Sequence, residues 1–301
     1  MVGELVNLLQ TRSSYADSLD AKKHAIDLRT QELLLSLYGS FVRPVENDIA
    51  GMERLLVVQQ PEFALLPLHA LRKPITNRYL AEQIAVSYLP SAFALTLPSR
   101  VPVPPPSRQT SRIPHIPDIV AIGNPGTTGW DVEYELRDIR AFFKDARFYF
   151  GQQATLPALQ REHGDLLHMA AEMHFDEHDP GNSYIVLSDG KAFNTTTPIL
   201  WGEFFSFPSF PAVILSNLGD DRVATHASLP EILLIDGCEH VMTQSYTPQR
   251  KTKKYFGEIY YTALLSGATS QQCFHQVQLE MIRNPEYSAP NIWAPFFSWG
   301  K

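Results

Sequence analysis

The chain has 301 residues, with 25 Lys plus Arg against 32 Asp plus Glu and a net charge of −7. Its 44% hydrophobic and 19% charged content excludes a disordered chain and is enough for a large packed core. The acidic balance argues against direct nucleic-acid binding, which needs a basic footprint, and two cysteines, Cys238 and Cys273, are too few for a disulfide framework.

That cysteine count fits a reducing compartment. It also means that a cysteine enzyme built from this chain has only two candidate nucleophiles. The first 30 residues lack a basic start followed by an apolar run. The longest apolar stretches, such as Ile232 to Ile235, fall far short of the ~20 residues of a membrane span. The expectation is a cytoplasmic protein with no membrane partner.

In chain order, residues 3 to 42 carry helical spacing, with Leu5, Leu8 and Leu9, then Ile26, Leu33, Leu34 and Leu37, and a break at Ser13-Ser14. Residues 1–50 are thus an N-terminal helical region. Residues 51–97 are β-rich. Arg54 to Gln59 reads as a buried strand, Ala81 to Leu89 as a second, and a short helix follows Pro90-Ser91. Residues 98–117 hold seven of the 23 prolines and form an extended connector, since proline lacks the helical N–H.

Residues 118–301 alternate strand and helix. Strands are expected at 118–122, 146–150, 166–171, 212–216 and 239–243. Helices are expected at 132–143, 155–162, 229–235, 253–265 and 270–283, with another starting at Pro198 to Trp201. Such alternation implies a parallel sheet covered on both faces, with its reactive end beyond the carboxyl ends of the strands.

Seven segments in this order resemble the CHAT domain, a caspase-like cysteine peptidase module related to separase. They are VVQQPEFALLPLHAL (57–71), YLAEQIAVSYLPS (79–91), IVAIGNP (119–125), LLHMAAEMHF (166–175), SYIVLSDG (183–190), VILSNLGDD (213–221) and NIWAPFFSWG (291–300). The resemblance implies a caspase-like three-layer α/β/α sandwich with a mostly parallel sheet, preceded by the helical and β-rich region.

The family's chemistry needs a His base and a Cys nucleophile at the ends of adjacent strands. Carried over position by position, the first motif His is His168 and the catalytic His position falls on Glu172. The 11 residues from Glu172 to Ser183 match the family's spacing, which a shift onto His174 breaks. The nucleophile position falls on Leu218, which has no nucleophilic atom. The dyad is therefore degenerate, and no catalytic residue is intact.

Other residues are candidates for rescuing the activity. Cys238 lies at the start of a strand, far from the reactive end, and Cys273 lies on an amphipathic helix; both read as structural thiols. A Ser216–His174 pair is a minor alternative. The run His168, Glu172, His174, Asp176, Glu177, His178, Asp179 reads as a solvated loop rather than a metal site, as it matches no ligand spacing. His168 itself reads as a hydrogen-bonded core residue. Gly123-Asn124-Pro125-Gly126 reads as a strand-ending turn, not a phosphate loop, and no cofactor is expected. The basic run Arg250 to Lys254 reads as a solvated loop, with a partner-binding patch as the sharper option. Phe204, Phe205, Phe207 and Phe210 read as core.

The leading expectation is a pseudo-peptidase acting through protein or peptide binding, as regulator or partner of an active protease. The family link brings bacterial defence as a context, although this chain has no helical repeats. The candidate cleft comprises His168, His174, Ser216, Asn217 and Asp220 beside Glu172 and Leu218, its acidic groups favouring a basic side chain. The alternatives are an active endopeptidase using displaced residues and a structural subunit of a larger assembly. The oligomeric state is left open.

Overall fold

The structure, a computed structural model, describes residues 1–14, 20–96, 116–123, 130–174, 182–191, 196–200, 203, 210–216 and 228–300. Most of the Pro-rich connector, the Asn124–Gly126 turn, the acidic run from Asp176 to Asp179, and Phe204, Phe205 and Phe207 lie outside the described residues.

Two helices open the chain, α1 (Val2–Ser14) and α2 (Asp20–Phe41). Leu33, Leu34, Leu37 and Tyr38 form the buried stripe of α2, the i, i+4 spacing that places side chains on one helix face. Arg29 of α2 grips Glu4 of α1 with both carboxylate oxygens, at 2.8 and 3.1 Å.

The strands are β1 (Arg54–Val58), β2 (Ala85–Leu89), β3 (Ile119–Gly123), β4 (Arg147–Phe150), β5 (Leu166–Ala170), β6 (Met173–His174), β7 (Tyr184–Ser188), β8 (Thr196–Leu200), β9 (Ala212–Ser216), β10 (His240–Gln244) and β11 (Phe296–Gly300). Eight form the main sheet, in the order β1-β2-β11-β10-β9-β5-β3-β4. The run from β10 to β4 is parallel throughout. β11 is antiparallel to β10 but parallel to β2, so β11, β2 and β1 run the opposite way. The strands of the 51–97 region thus extend the same sheet. β6, β7 and β8 form a separate antiparallel sheet.

The helices after the connector are α3 (Trp130–Phe142), α4 (Leu156–Leu159), α5 (Ser228–Ile235), α6 (Arg250–Leu265), α7 (Ser270–Arg283) and α8 (Pro290–Trp293). Thr269 caps α7 in a box with Gln272, which satisfies end amides that the helix leaves open. All five residues of β3, β5 and β9 are buried. Such strands carry no polar alternation because helices cover both of their faces. The result is the expected three-layer α/β/α sandwich. Buried His69 links the 51–97 region to the chain's end, with Nδ1 2.7 Å from the Tyr88 hydroxyl and Nε2 3.0 Å from the Ala294 carbonyl.

Three expectations are corrected. The stretch 81–89 begins in a 3₁₀ turn, Leu80–Glu82, and becomes strand only at Ala85. Residues 198–200 belong to β8, not a helix; β8 is the edge of the small sheet, where Pro198 removes no ladder hydrogen bond that a central strand would need. The basic run Arg250 to Lys254 is the first turn of α6, not a loop. Thr252, Phe256, Tyr260 and Leu264 recur every fourth residue as its buried stripe, and this pattern outweighs the local charge.

Candidate functional site at the strand ends

β5 and β9 are parallel neighbours, with Ala170 opposite Ser216 as the last pair. The Ala171 N–H then donates to the Ser216 carbonyl, at 3.3 Å. Beyond this point the chain is held by the small sheet. The Val186 N–H donates to the Glu172 carbonyl at 2.9 Å, and Met173 and His174 pair with Ile185 and Tyr184. Glu172 is therefore fixed two residues past the end of β5.

His174 Nε2 lies 2.7 Å from Glu172 Oε1. Its ring stacks on Tyr184, with centroids 4.6 Å apart and planes at 23°. The Glu172 side chain is 16% exposed and that of His174 35%, so the pair is partly exposed. A carboxylate that orients an imidazole is the arrangement used to fix a general base. Asn217, Leu218 and Asp220 lie outside the described residues.

Ser216 is wholly buried. Among the described residues, no hydrogen bond joins it to His174, whose ring is bonded to Glu172. Cys238 precedes β10, and His240 of that strand pairs with Ala212 at the start of β9. Four strand residues, roughly 13 Å at ~3.3 Å each, separate that end from Ser216. Burial raises the Cys238 thiol far above the ordinary range, and it pushes the fully buried Cys273 thiol up to about 12. Both are protonated at neutral pH and are poor nucleophiles.

His168 is buried, 4% exposed, with both ring nitrogens bonded to helix residues. This fits the hydrogen-bonded core reading and corrects its inclusion in the candidate cleft. His168 Nε2 is 2.9 Å from Glu135 of α3 and its Nδ1 is 2.7 Å from the Tyr261 hydroxyl of α6. Lys253 of α6 completes the network, with Nζ 3.5 Å from the second Glu135 oxygen. Burial works against ionisation of Glu135, but Lys253 and the His168 bond outweigh it and hold the carboxyl at about 2.

Sequence reasoning did not single out Glu135 or Tyr261, and it took Lys253 only as part of the basic run Arg250 to Lys254. Their signal is positional. Glu135 falls among Val132, Leu136 and Ile139, the apolar face of α3, while Lys253 and Tyr261 stand eight residues apart on one face of α6. A charged residue on a core-facing stripe needs a buried partner.

The three-layer sandwich with its mostly parallel eight-stranded sheet is a caspase-like α/β fold. Residues 31–301 match the CHAT domain, and the chain belongs to the CHAT family. No curated protein matches it. Two crystal structures of the Saccharomyces cerevisiae separase–securin complex are similar at 14% identity, with TM-scores of 0.46 and 0.47; the match covers 82% of this chain and 15% of theirs. A crystal structure of the Arg-specific cysteine proteinase gingipain R is similar at 8% identity and a TM-score of 0.47, covering 99% of this chain and 74% of that one. The chain thus spans only a small part of the separase chains. No helix among the described residues is long and apolar enough to cross a membrane.

Proposed function

We propose that this CHAT-family chain is a pseudo-peptidase, binding a peptide or protein segment at the strand ends rather than cleaving it. The observation that carries the reading is the placement of its two thiols. Cys238 and Cys273 are both buried, and Cys238 sits at the opposite end of the sheet from Ser216. With Glu172 at the His position and Leu218 at the Cys position, an acyl-enzyme has no atom on which to form. The Glu172 carboxylate, and Asp220 by its place in the VILSNLGDD motif, are the acidic groups that suit a Lys- or Arg-bearing segment, including one supplied by an active protease.

The test pairs an activity screen with a binding measurement. A fluorogenic peptide panel and a thiol-reactive peptide probe are expected to give no turnover and no labelling. His-dependent labelling of Cys238 or Cys273 overturns the reading. A fluorescent Arg-rich peptide is expected to bind the wild type and to lose affinity in Glu172→Gln/Asp220→Asn. Unchanged affinity removes the acidic cleft from the proposal.

A second reading rests on the Glu172–His174 contact. An imidazole oriented by a carboxylate is half of a hydrolase, so an endopeptidase using His174 and a displaced nucleophile is the rival. It requires peptide turnover that His174→Gln abolishes.

A further inference from the structure

A cavity of about 300 Å³ lies between α3, α6 and the sheet, apart from the strand-end cleft. Its floor is His168 of β5, Ile214 of β9, Met242 and Gln244 of β10, and Phe296 of β11. Phe142 of α3 and Phe256 of α6 close its sides, so its surface is mostly apolar. Exposed Ala141 and Lys254 stand at its rim.

Among the described residues, two wall atoms lack a hydrogen bond within the protein: Glu135 Oε2, which still has Lys253 Nζ 3.5 Å away as an ion partner, and Gln244 Oε1, which has no charged partner. Gln244 is only 4% exposed, and its Oε1 is buried with no hydrogen-bond partner. A buried amide oxygen left without a donor costs free energy, on the order of 1–3 kcal/mol. Buried acceptors in native proteins are almost always paired. The register places Gln244 two residues beyond Met242, on the same face of β10, and both line the cavity.

Charge does not select an ion here. Arg250, Lys253 and Lys254 are balanced by Glu135, Asp138 and Glu258 around the same space. Lys253 is paired with Glu135 at 3.5 Å, Lys254 stands 3.8 Å from Glu258, and the Arg250 guanidinium lies 3.7 Å from the Tyr134 ring centroid. Volume sets the size. A dry cavity of about 150 Å³ accepts benzene, so twice that volume suits a fused bicyclic ring.

We propose that this cavity is a small-molecule site for a neutral, flat, mainly apolar ligand bearing one hydrogen-bond donor, which it delivers to Gln244 Oε1. The aromatic and aliphatic walls take the ring, as in most small-ligand pockets. The Gln244 oxygen fixes its orientation.

Indole supplies this chemistry, and indene is its near-isostere without the N–H. Both are titrated into the purified full chain and followed by isothermal calorimetry. Indole is expected to bind saturably at one site, about fivefold tighter than indene, the difference one buried hydrogen bond makes. Gln244→Leu is expected to erase the preference while retaining indene binding, which shows that the variant folds. Ala141→Trp, at the exposed rim, is expected to abolish binding of both. The proposal is overturned by no saturable indole binding, by equal affinities for the two ligands, or by an indole preference that survives Gln244→Leu. Indole binding that survives Ala141→Trp overturns it as well, because the ligand then sits elsewhere.

Discussion

His174 holds its Nε2 2.7 Å from the Glu172 carboxylate, two residues earlier in the chain and just past the end of β5. An imidazole and a carboxylate are therefore in direct contact just past the carboxyl end of β5. The chain's two thiols, Cys238 and Cys273, are both buried.

The proposed alignment of Glu172 and Leu218 with the family's His and Cys can be tested by substitution. Ala170 pairs with Ser216, and Glu172 and Leu218 each stand two residues further on. Glu172→His with Leu218→Cys should then place an imidazole beside a thiol and lower its pKa by stabilising the thiolate. Iodoacetamide labelling at pH 7 is expected to be at least about tenfold faster in the double variant than in Leu218→Cys alone. Equal rates would show that positions 172 and 218 do not face each other.

The buried Glu135–Lys253 pair makes a prediction about stability. Lys253 is 7% exposed and Glu135 13%, so removing one partner strands a charge away from water. Lys253→Met should cost roughly 3–5 kcal/mol in urea unfolding. Glu135→Gln added to Lys253→Met should recover much of that loss, because no unpaired charge remains. A double variant as unstable as the sum of the singles would show that the two side chains do not act as a pair.

How far this architecture was legible depended on what each segment buries. α7 matches its expected range, 270–283, because Cys273, Phe274, Val277 and Met281 repeat at helical spacing. The buried run Ala212–Ser216 was equally plain. β11 was quoted only as part of a motif, since Phe296, Phe297, Ser298 and Trp299 are all buried and show no alternation. Residues 196–200 misled because Pro198 suggests a helix start, and only tertiary context makes it an edge strand. At the site, the strand-end position of Glu172 and the core role of His168 followed from motif and pattern. The His168–Glu135–Tyr261 network did not, because it joins residues 33 and 93 positions apart in the chain.

Two buried histidines predict the acid limb of the stability curve. Burial, aided by Arg54, lowers His240 from 6.5 to about 4, and burial lowers His69 from 6.5 to about 3 against the pull of the Ala294 carbonyl. Below pH 6.5 the unfolded chain takes up protons that the folded chain refuses. Stability is therefore full above pH 6.5 and falls as pH drops toward 4 and then 3. Glu135, lowered from 4.5 to about 2, adds to the loss below pH 4.5. Urea midpoints measured between pH 7 and 4 should decline with a slope approaching two protons. His240→Gln should reduce that slope by about one proton. A slope untouched by the substitution would show that His240 titrates normally in the folded chain.

Gly300 closes the register between β11 and β10, opposite His240. Its φ is 121°, a conformation that L side chains rarely adopt. A Cβ there would collide with the Glu239 carbonyl oxygen and lie 3.0 Å from its carbon and 3.2 Å from His240 Cα. These are backbone atoms of the neighbouring strand, so no side chain can move aside. Gly267, at φ 90°, follows α6 and has nothing within 4 Å of a would-be Cβ. Gly267→Ala should cost only the local strain, about 1 kcal/mol, whereas Gly300→Ala should cost roughly 3 kcal/mol or more by forcing β11 away from β10. Trp299 reports the displacement: it is 5% exposed and its Nε1 donates to Thr243 Oγ1 at 2.8 Å. Red-shifted tryptophan emission is therefore expected in Gly300→Ala and not in Gly267→Ala. Equal losses in the two variants would mean that positive φ alone, not the packing of β11 against the Glu239 carbonyl, accounts for the glycine at position 300.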